Sequence, residues 1–359
     1  MQFCTIVRDA FPKTVFLCLL IIFLVAGCGR NRAFVAETPV LTSATAGDAL
    51  QGDDQKGARI PGKDSASMAP VWSQLAQRMA SDGVAGPRVD ALFAALPSTP
   101  TQSPMGRKMR ELYMRRFYPK PPSGKGRQRY YKNVVTPKNA QICREFVAAN
   151  QQAFAFAERR YAVPANIAVA LLFVETRLGK VLGDVPENAF FTLASMAVSR
   201  KPEDIADWLP KMPGYEKHLD WFEETMPKRA DWAYKETLAL VKHMLHEGVT
   251  PQSLPGSIYG AIGMCQFMPS NISVYGADGS GDGRVDLFDT ADAVASLANY
   301  LARHGWKAGI TRATQHKLLM TYNHSQVYAN TILGLSDLVA ARPEGARKGK
   351  AGARKAGAR

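Results

Sequence analysis

Glu175 closes a run that is otherwise almost wholly apolar, Ile167-Ala168-Val169-Ala170-Leu171-Leu172-Phe173-Val174-Glu175-Thr176-Arg177. A carboxylate in such surroundings is costly unless it has a partner or a function. Burial disfavours its charged form, so it holds its proton more tightly than a free glutamate. A general acid working near neutral pH needs that property. The same spacing fits a helix-end glutamate paired with Arg177 or turned to solvent, and both readings stay open on the run alone.

A second set lies in Gly256-Ser257-Ile258-Tyr259-Gly260-Ala261-Ile262-Gly263-Met264-Cys265-Gln266-Phe267-Met268-Pro269-Ser270. The hydroxyl of Ser257 and the amide of Gln266 both donate and accept, which suits neutral, hydroxyl-rich and N-acetylated ligands. Tyr259 is either an aromatic wall for a sugar face or a core aromatic. Gly260 and Gly263 permit close backbone approach. Further on stand Tyr322-Asn323-His324-Ser325 and Tyr328, with His324 read as structural. The stretch Asp278-Gly279-Ser280-Gly281-Asp282-Gly283-Arg284 matches positions 1 to 7 of an EF-hand loop. Asp278, Ser280 and Asp282 supply side-chain oxygens at alternate positions, Arg284 supplies a backbone carbonyl, and position 12 falls on Asp289. Such a loop is expected to bind Ca2+ and to stabilise the fold; a metal-free Gly/Asp turn is the alternative. No Cys/His spacing suggests zinc, and nothing calls for an organic cofactor.

These residues need a helical frame. Helical spacing predicts helices over 70–84, with Trp72, Leu75 and Met79 on one side, and over 138–162, with Phe146, Phe154 and Phe156. Pro164 and Gly179 bracket the helix carrying Glu175, and residues 232–246 and 289–304 read as further helices. Few segments alternate with period two, so the fold class is mainly α.

The start of the chain places it. Arg8 and Lys13 precede an apolar stretch, Val15 to Gly27, too short to span a bilayer. It ends in Leu24-Val25-Ala26-Gly27-Cys28, which resembles a bacterial lipoprotein signal. Residues 1–27 are then a signal peptide, with Cys28 lipidated as the new N-terminus. Gly29 in place of Asp leans towards the periplasmic face of the outer membrane. Residues 28–69 read as a flexible tether, 70–340 as one domain of helical lobes around one cleft, and 341–359 as a basic disordered tail. The formal net charge is +14, and residues 105–132 carry ten Lys/Arg against the single acid Glu111, interleaved with Tyr113, Phe117, Tyr118, Tyr130 and Tyr131. In an exported lipoprotein this charge points to an anionic cell-wall polymer or a solvated basic face, not to nucleic acid. Cys143 and Cys265 remain after processing, either as one disulfide or as two buried thiols.

The stretches around Glu175, Ser257–Gln266, Asp278–Asp289 and Tyr322-Asn323, in this order, together with Lys120-Pro121-Pro122-Ser123-Gly124 and Arg129-Tyr130, resemble the membrane-bound lytic murein transglycosylase B family. The resemblance runs from about residue 70 to 340. It implies a lysozyme-like helical fold with a small β element and an EF-hand-like calcium loop. It implies cleavage of the β-1,4 bond between N-acetylmuramic acid and N-acetylglucosamine in peptidoglycan, leaving a 1,6-anhydro-muramoyl end. Glu175 takes the place of the family's single acid/base. Ser257, Gln266, Tyr259, Tyr322, Asn323 and Tyr328 fall on or near its sugar contacts, and Asp292, in preference to Asp289, on the acid that closes its calcium loop. The partners implied are glycan strands and, through the lipid, the membrane; the protein is expected to act as a monomer. Ser195 to Trp221 departs from the family, with Arg200 and Lys201 standing where a Pro-Arg-Arg-like stretch is usual and Leu209–Gly214 forming an altered loop. A muramidase using water on the same bond and a non-catalytic murein-binding lipoprotein are the alternatives. Asp184 and Glu187 are the nearest following acids for a two-carboxylate hydrolase.

Overall fold

Proline punctuates this chain: four of its α-helices among the described residues begin on it and a fifth, α3, carries it second, where the missing N–H is no loss and φ is already helical. The computed structural model describes residues 68–119 and 128–341. The expected signal peptide, Cys28, nearly all of the expected tether and basic tail, and the Lys120–Gly124 motif lie outside the described residues. Within them run α1 (Pro70–Ser81), α2 (Pro87–Ala94), α3 (Ser103–Phe117), α4 (Pro137–Ala149), α5 (Gln151–Tyr161) and α6 (Ala165–Thr176). There follow α7 (Ala189–Val198), α8 (Leu219–Glu247), α9 (Pro269–Tyr275), α10 (Thr290–Arg303), α11 (Arg312–Tyr322) and α12 (Gln326–Ala340).

Helix α6 is apolar on every face, and such a helix must be surrounded. Residues Ile167 through Val174 are all buried, and α4, α5, α10 and α12 pack against the helix. A second group forms around α7, which meets α1, α3 and the long helix α8. Among the described residues no helix is long and apolar enough to cross a membrane.

The mainly helical class holds, with three corrections of detail and one open alternative decided. The expected helix over 138–162 is two, because Asn150 leaves helical geometry (φ −121°, ψ 35°) and turns its side-chain amide back onto the Phe146 carbonyl at 2.9 Å. The helix expected over 232–246 begins much earlier, at Leu219, and runs through Pro227. The small β element reduces, among the described residues, to isolated bridges Asn188–Pro255, Gly256–Ile262 and Ile262–Phe267. Cys143 and Cys265 are free and buried, which removes the disulfide. The basic, aromatic stretch is also not a uniform surface. Tyr113 and Lys108 of α3 are buried, and Tyr113 stacks on Phe222 with ring centres 5.6 Å apart.

Candidate active site

Helix α6 ends in an unusual way. The Arg177 amide donates to Phe173 O and the Leu178 amide to Leu172 O, and Arg177, Leu178 and Gly179 are all left-handed (φ 54°, 63° and 81°). Two of these are not glycine, and each such residue costs of the order of 1 kcal/mol or more. Thr176 helps hold the turn: its hydroxyl donates to Met264 O at 2.8 Å and accepts from the Gly179 amide at 3.0 Å. The strained turn therefore ties the end of α6, and Glu175 with it, to the 256–267 segment.

Glu175 is half-buried, with an open side, yet protein surrounds its carboxyl closely enough to govern its titration. Burial pushes it up to about 7, and a hydrogen bond from Tyr328 offsets part of that rise. The Tyr328 hydroxyl, from α12, donates to Glu175 Oε1. Tyr328 is 2% exposed and sits where Ser325 caps its helix, the Ser325 hydroxyl accepting the Tyr328 amide at 3.3 Å. Tyr322, from the end of α11, lies parallel to it, with ring centres 6.5 Å apart and planes 14° apart. The Tyr322 hydroxyl donates to the backbone carbonyl of buried Cys265 at 2.5 Å. Burial, then the Cys265 thiol and the Glu175 charge, raise the Tyr322 phenol; burial chiefly, with Glu175 adding to it, raises the Cys265 thiol. Both groups keep their protons beside Glu175. Among the described residues no other carboxylate contributes to the shift of Glu175; Asp184 is exposed and braces the loop by accepting the Ile258 amide at 2.7 Å.

The other expected contacts are arranged less uniformly. Asn323 follows Tyr322, and its Oδ1 is buried without a hydrogen-bond partner among the described residues. Ser257 is nearly buried, and its oxygen accepts from the amides of Tyr259 and Ala261 at 3.3 and 3.1 Å, so it shapes its own turn. Gln266 is left-handed (φ 52°) and donates from Nε2 to Leu182 O at 3.2 Å and Gly263 O at 3.0 Å. Gly263 at φ 74° is required: a Cβ there would stand 2.3 Å from that of Leu287. Tyr259 is 6% exposed, with its hydroxyl on Glu111, which favours the core reading. Arg200 pairs with Asp231 at 2.7 Å. His324 is exposed, on the rim of a cavity of about 620 Å³ lined by Arg129, Ser325 and Asn330 and not by Glu175.

The acidic loop closes on α10. One carboxylate oxygen each of Asp278, Asp282 and Asp292 lie within 4.8 Å of one another. Asp292, 1% exposed, accepts the amides of Gly279 and Ser280 on Oδ1 and that of Asp286 on Oδ2, at 2.8, 2.9 and 2.8 Å. Asp289 instead caps α10, accepting the amides of Ala291 and Asp292. Amides of Gly283 and Gly281 hold the half-buried Asp278 carboxyl below its ordinary value.

Sequence reasoning had no access to Tyr328 as the partner of Glu175, to the Cys265 carbonyl or to the Thr176–Met264 bond. The one available signal was Ser325, a cap residue three positions before a tyrosine.

Residues 67–318 match the family model described as "Transglycosylase SLT domain". Over 192 residues the chain is 33% identical to the membrane-bound lytic murein transglycosylase B of Escherichia coli (strain K12). That alignment covers 53% of this chain and 45% of the relative, so the chain spans less than half of that protein. Among solved structures, the E. coli lytic transglycosylase Slt35 in complex with bulgecin A superposes with a TM-score of 0.58 at 22% identity, covering 79% of this chain and 98% of that one. The same enzyme in complex with calcium gives 0.57 at 22% identity over the same shares. At that identity the likeness is one of fold.

Proposed function

The chain belongs to the Transglycosylase SLT domain family, and from that premise we propose that it is a lytic murein transglycosylase using Glu175 as its single acid/base. The observation that carries the reading is a lone carboxyl at the end of α6, pushed up to about 7 by burial and held by a hydrogen bond from Tyr328. At neutral pH such a group is present in both forms, which a residue that gives and then retakes a proton requires. Protonated Glu175 donates to the glycosidic oxygen as the bond to C1 breaks. The carboxylate then takes the proton of the muramic acid C6 hydroxyl as that oxygen closes on C1. No water enters, and the proton returns to Glu175. The attacking hydroxyl is already on the sugar, which lowers the entropic barrier. Tyr328 fixes the carboxyl and stabilises its charged form between the two steps. Asn323 Oδ1 is a buried acceptor awaiting a donor, which supports a contact with a sugar hydroxyl or amide. Tyr322, Ser257 and Gln266 complete the binding wall.

A calcium ion fits the acidic loop. Three like-charged carboxylates converge there, with oxygen lone pairs left over after their amide bonds. Asp278, Ser280, Asp282, Asp292 and the Arg284 carbonyl would hold the ion, and it would clamp the loop to α10 without entering the reaction. We also assign Cys28 as the lipid anchor of a monomer facing the periplasm from the outer membrane; Cys28→Ala should move the protein from the membrane to the soluble fraction. Digestion of purified murein tests the central reading. Products one water lighter than reducing ends are expected, and a preponderance of reducing ends would refute it.

A further inference from the structure

One cavity carries charge that the Glu175 site does not use. Helices α5 and α10 pack side by side, and both end on a cavity of about 830 Å³. Arg159 and Arg160 of α5, Arg303 of α10 and Lys307 just beyond it line this cavity, and all four side chains are exposed. Among the described residues none of the four has an ion-pair partner. Asp278 is the one acid in the lining, and the amides of Gly281 and Gly283 already bond its carboxylate. Cations suit the last turn of a helix, so the plainer account is that they balance two helix ends. Each end carries roughly half a negative charge. Both ends and Asp278 together offset about two of the cations, and a surplus of about two positive charges faces the cavity.

The walls are aromatic as well as basic. Phe156 and Tyr161, half-buried and edge to face with ring centres 6.5 Å apart, line the same cavity. Arg160 lies 5.4 Å from the centre of the Tyr161 ring, which places its charge without neutralising it. The Trp306 indole donates to Ala162 O at 3.1 Å, and Arg303 Nη1 to Val274 O at 2.7 Å, so the walls are held in place. Cations beside amphipathic rings are what a membrane interface selects, the cations for its phosphates and the rings for its headgroup level. The position in the fold adds to this. Tyr161 and Ala162 lead directly into the start of α6, and Glu175 stands at the other end of that helix, about 15 Å along its axis. A surface bound at the cavity leaves the Glu175 end directed away from it. We propose that this cavity takes the phosphate headgroups of anionic lipid in the membrane that carries the protein, and so turns Glu175 outward to the cell wall. The proposal rests on the lipid-anchored reading above.

Residues 29–359, the processed chain without its lipid, retain the compact unit from Ser67 onward. This chain should co-sediment with phosphatidylcholine vesicles that contain phosphatidylglycerol, not with phosphatidylcholine alone, and salt should release it. The Arg159→Gln/Arg160→Gln/Lys307→Gln variant should keep the melting temperature and lose about a hundredfold in affinity for the anionic vesicles, about fivefold per charge. Arg88→Gln/Lys217→Gln/Lys242→Gln removes the same charge from exposed positions outside the cavity and should bind as the unmutated chain does. The basic tail is the same in both variants, so it cannot produce a difference between them. Arg160→Gln alone should lose about fivefold, which keeps the test decisive if the triple variant melts early. Equal losses from the two triple variants, or equal binding to the two kinds of vesicle, overturn the headgroup site. Failure of the anchor reading looks different: the full chain would stay in the soluble fraction of cells whether or not residues 29–359 bound anionic vesicles.

Discussion

Glu175 and the Asp278–Asp292 loop set the same chemical group in opposite surroundings. In the loop, backbone amides crowd the carboxylates: Asp292 alone accepts three, and Asp278 is held below its ordinary value by Gly283 and Gly281. Glu175 receives one phenol, and burial prevails. Amide donors fix negative charge in place, as a cation site needs, whereas one hydroxyl in an apolar helix end leaves a carboxyl able to exchange its proton.

Glu175→Gln is the sharpest way to break this contrast. Cleavage should fall about a thousandfold, measured as release of anhydro products. The same change should raise stability. The folded pKa of Glu175, about 7, lies above its ordinary 4.5, so its contribution to stability is fully present below pH 4.5 and is lost as pH rises through about 7. Glutamine does not titrate. Denaturant melts should show the variant gaining on the wild type across that window, by at most about 3 kcal/mol, less for the open side of the site. Equal pH dependence of the two proteins would mean that Glu175 is not held protonated.

In the loop, the corresponding change is Asp292→Ala. Three amides lose their acceptor, at a cost of about 2–4 kcal/mol. Calcium should raise the melting temperature of the wild type after EDTA treatment and leave this variant unmoved. A wild type that ignores both EDTA and calcium would leave the loop a metal-free turn. Asp289→Ala should cost only about 1 kcal/mol, the loss of a helix cap, and keep the calcium response.

The parts of these two regions that could be seen in the sequence are those set by local chemistry. The apolar run before Glu175, the Pro164 and Gly179 brackets and the alternating acids of the loop depend on near neighbours only. What stayed hidden depends on distance. Tyr328 reaches Glu175 from 153 positions away, and Tyr259 meets Glu111 across 148. The same limit explains the helix errors. Apolar spacing continues on both sides of Asn150 and hides the break there, and Pro227 masks a helix whose tertiary packing on α7 tolerates the missing hydrogen bond. The basic stretch misled for a related reason: spacing cannot tell that Lys108 turns inward to Glu111 and Tyr259.

The two parallel tyrosines offer a finer version of the same contrast. Tyr328 donates to a side chain that titrates, Tyr322 to a backbone carbonyl that does not. Tyr328→Phe removes the one bond that lowers Glu175, so the pH at which cleavage fails on the alkaline side should move upward, with kcat reduced about tenfold. Tyr322→Phe leaves the Cys265 carbonyl without its donor and should cost about 1–2 kcal/mol of stability, and the alkaline limb should stay where it is. The split is what matters: one variant moves the pH profile, the other the melting temperature. If both variants moved the profile equally, the carboxyl would be responding to the whole aromatic wall, and Tyr328 would lose its standing as the group that positions Glu175.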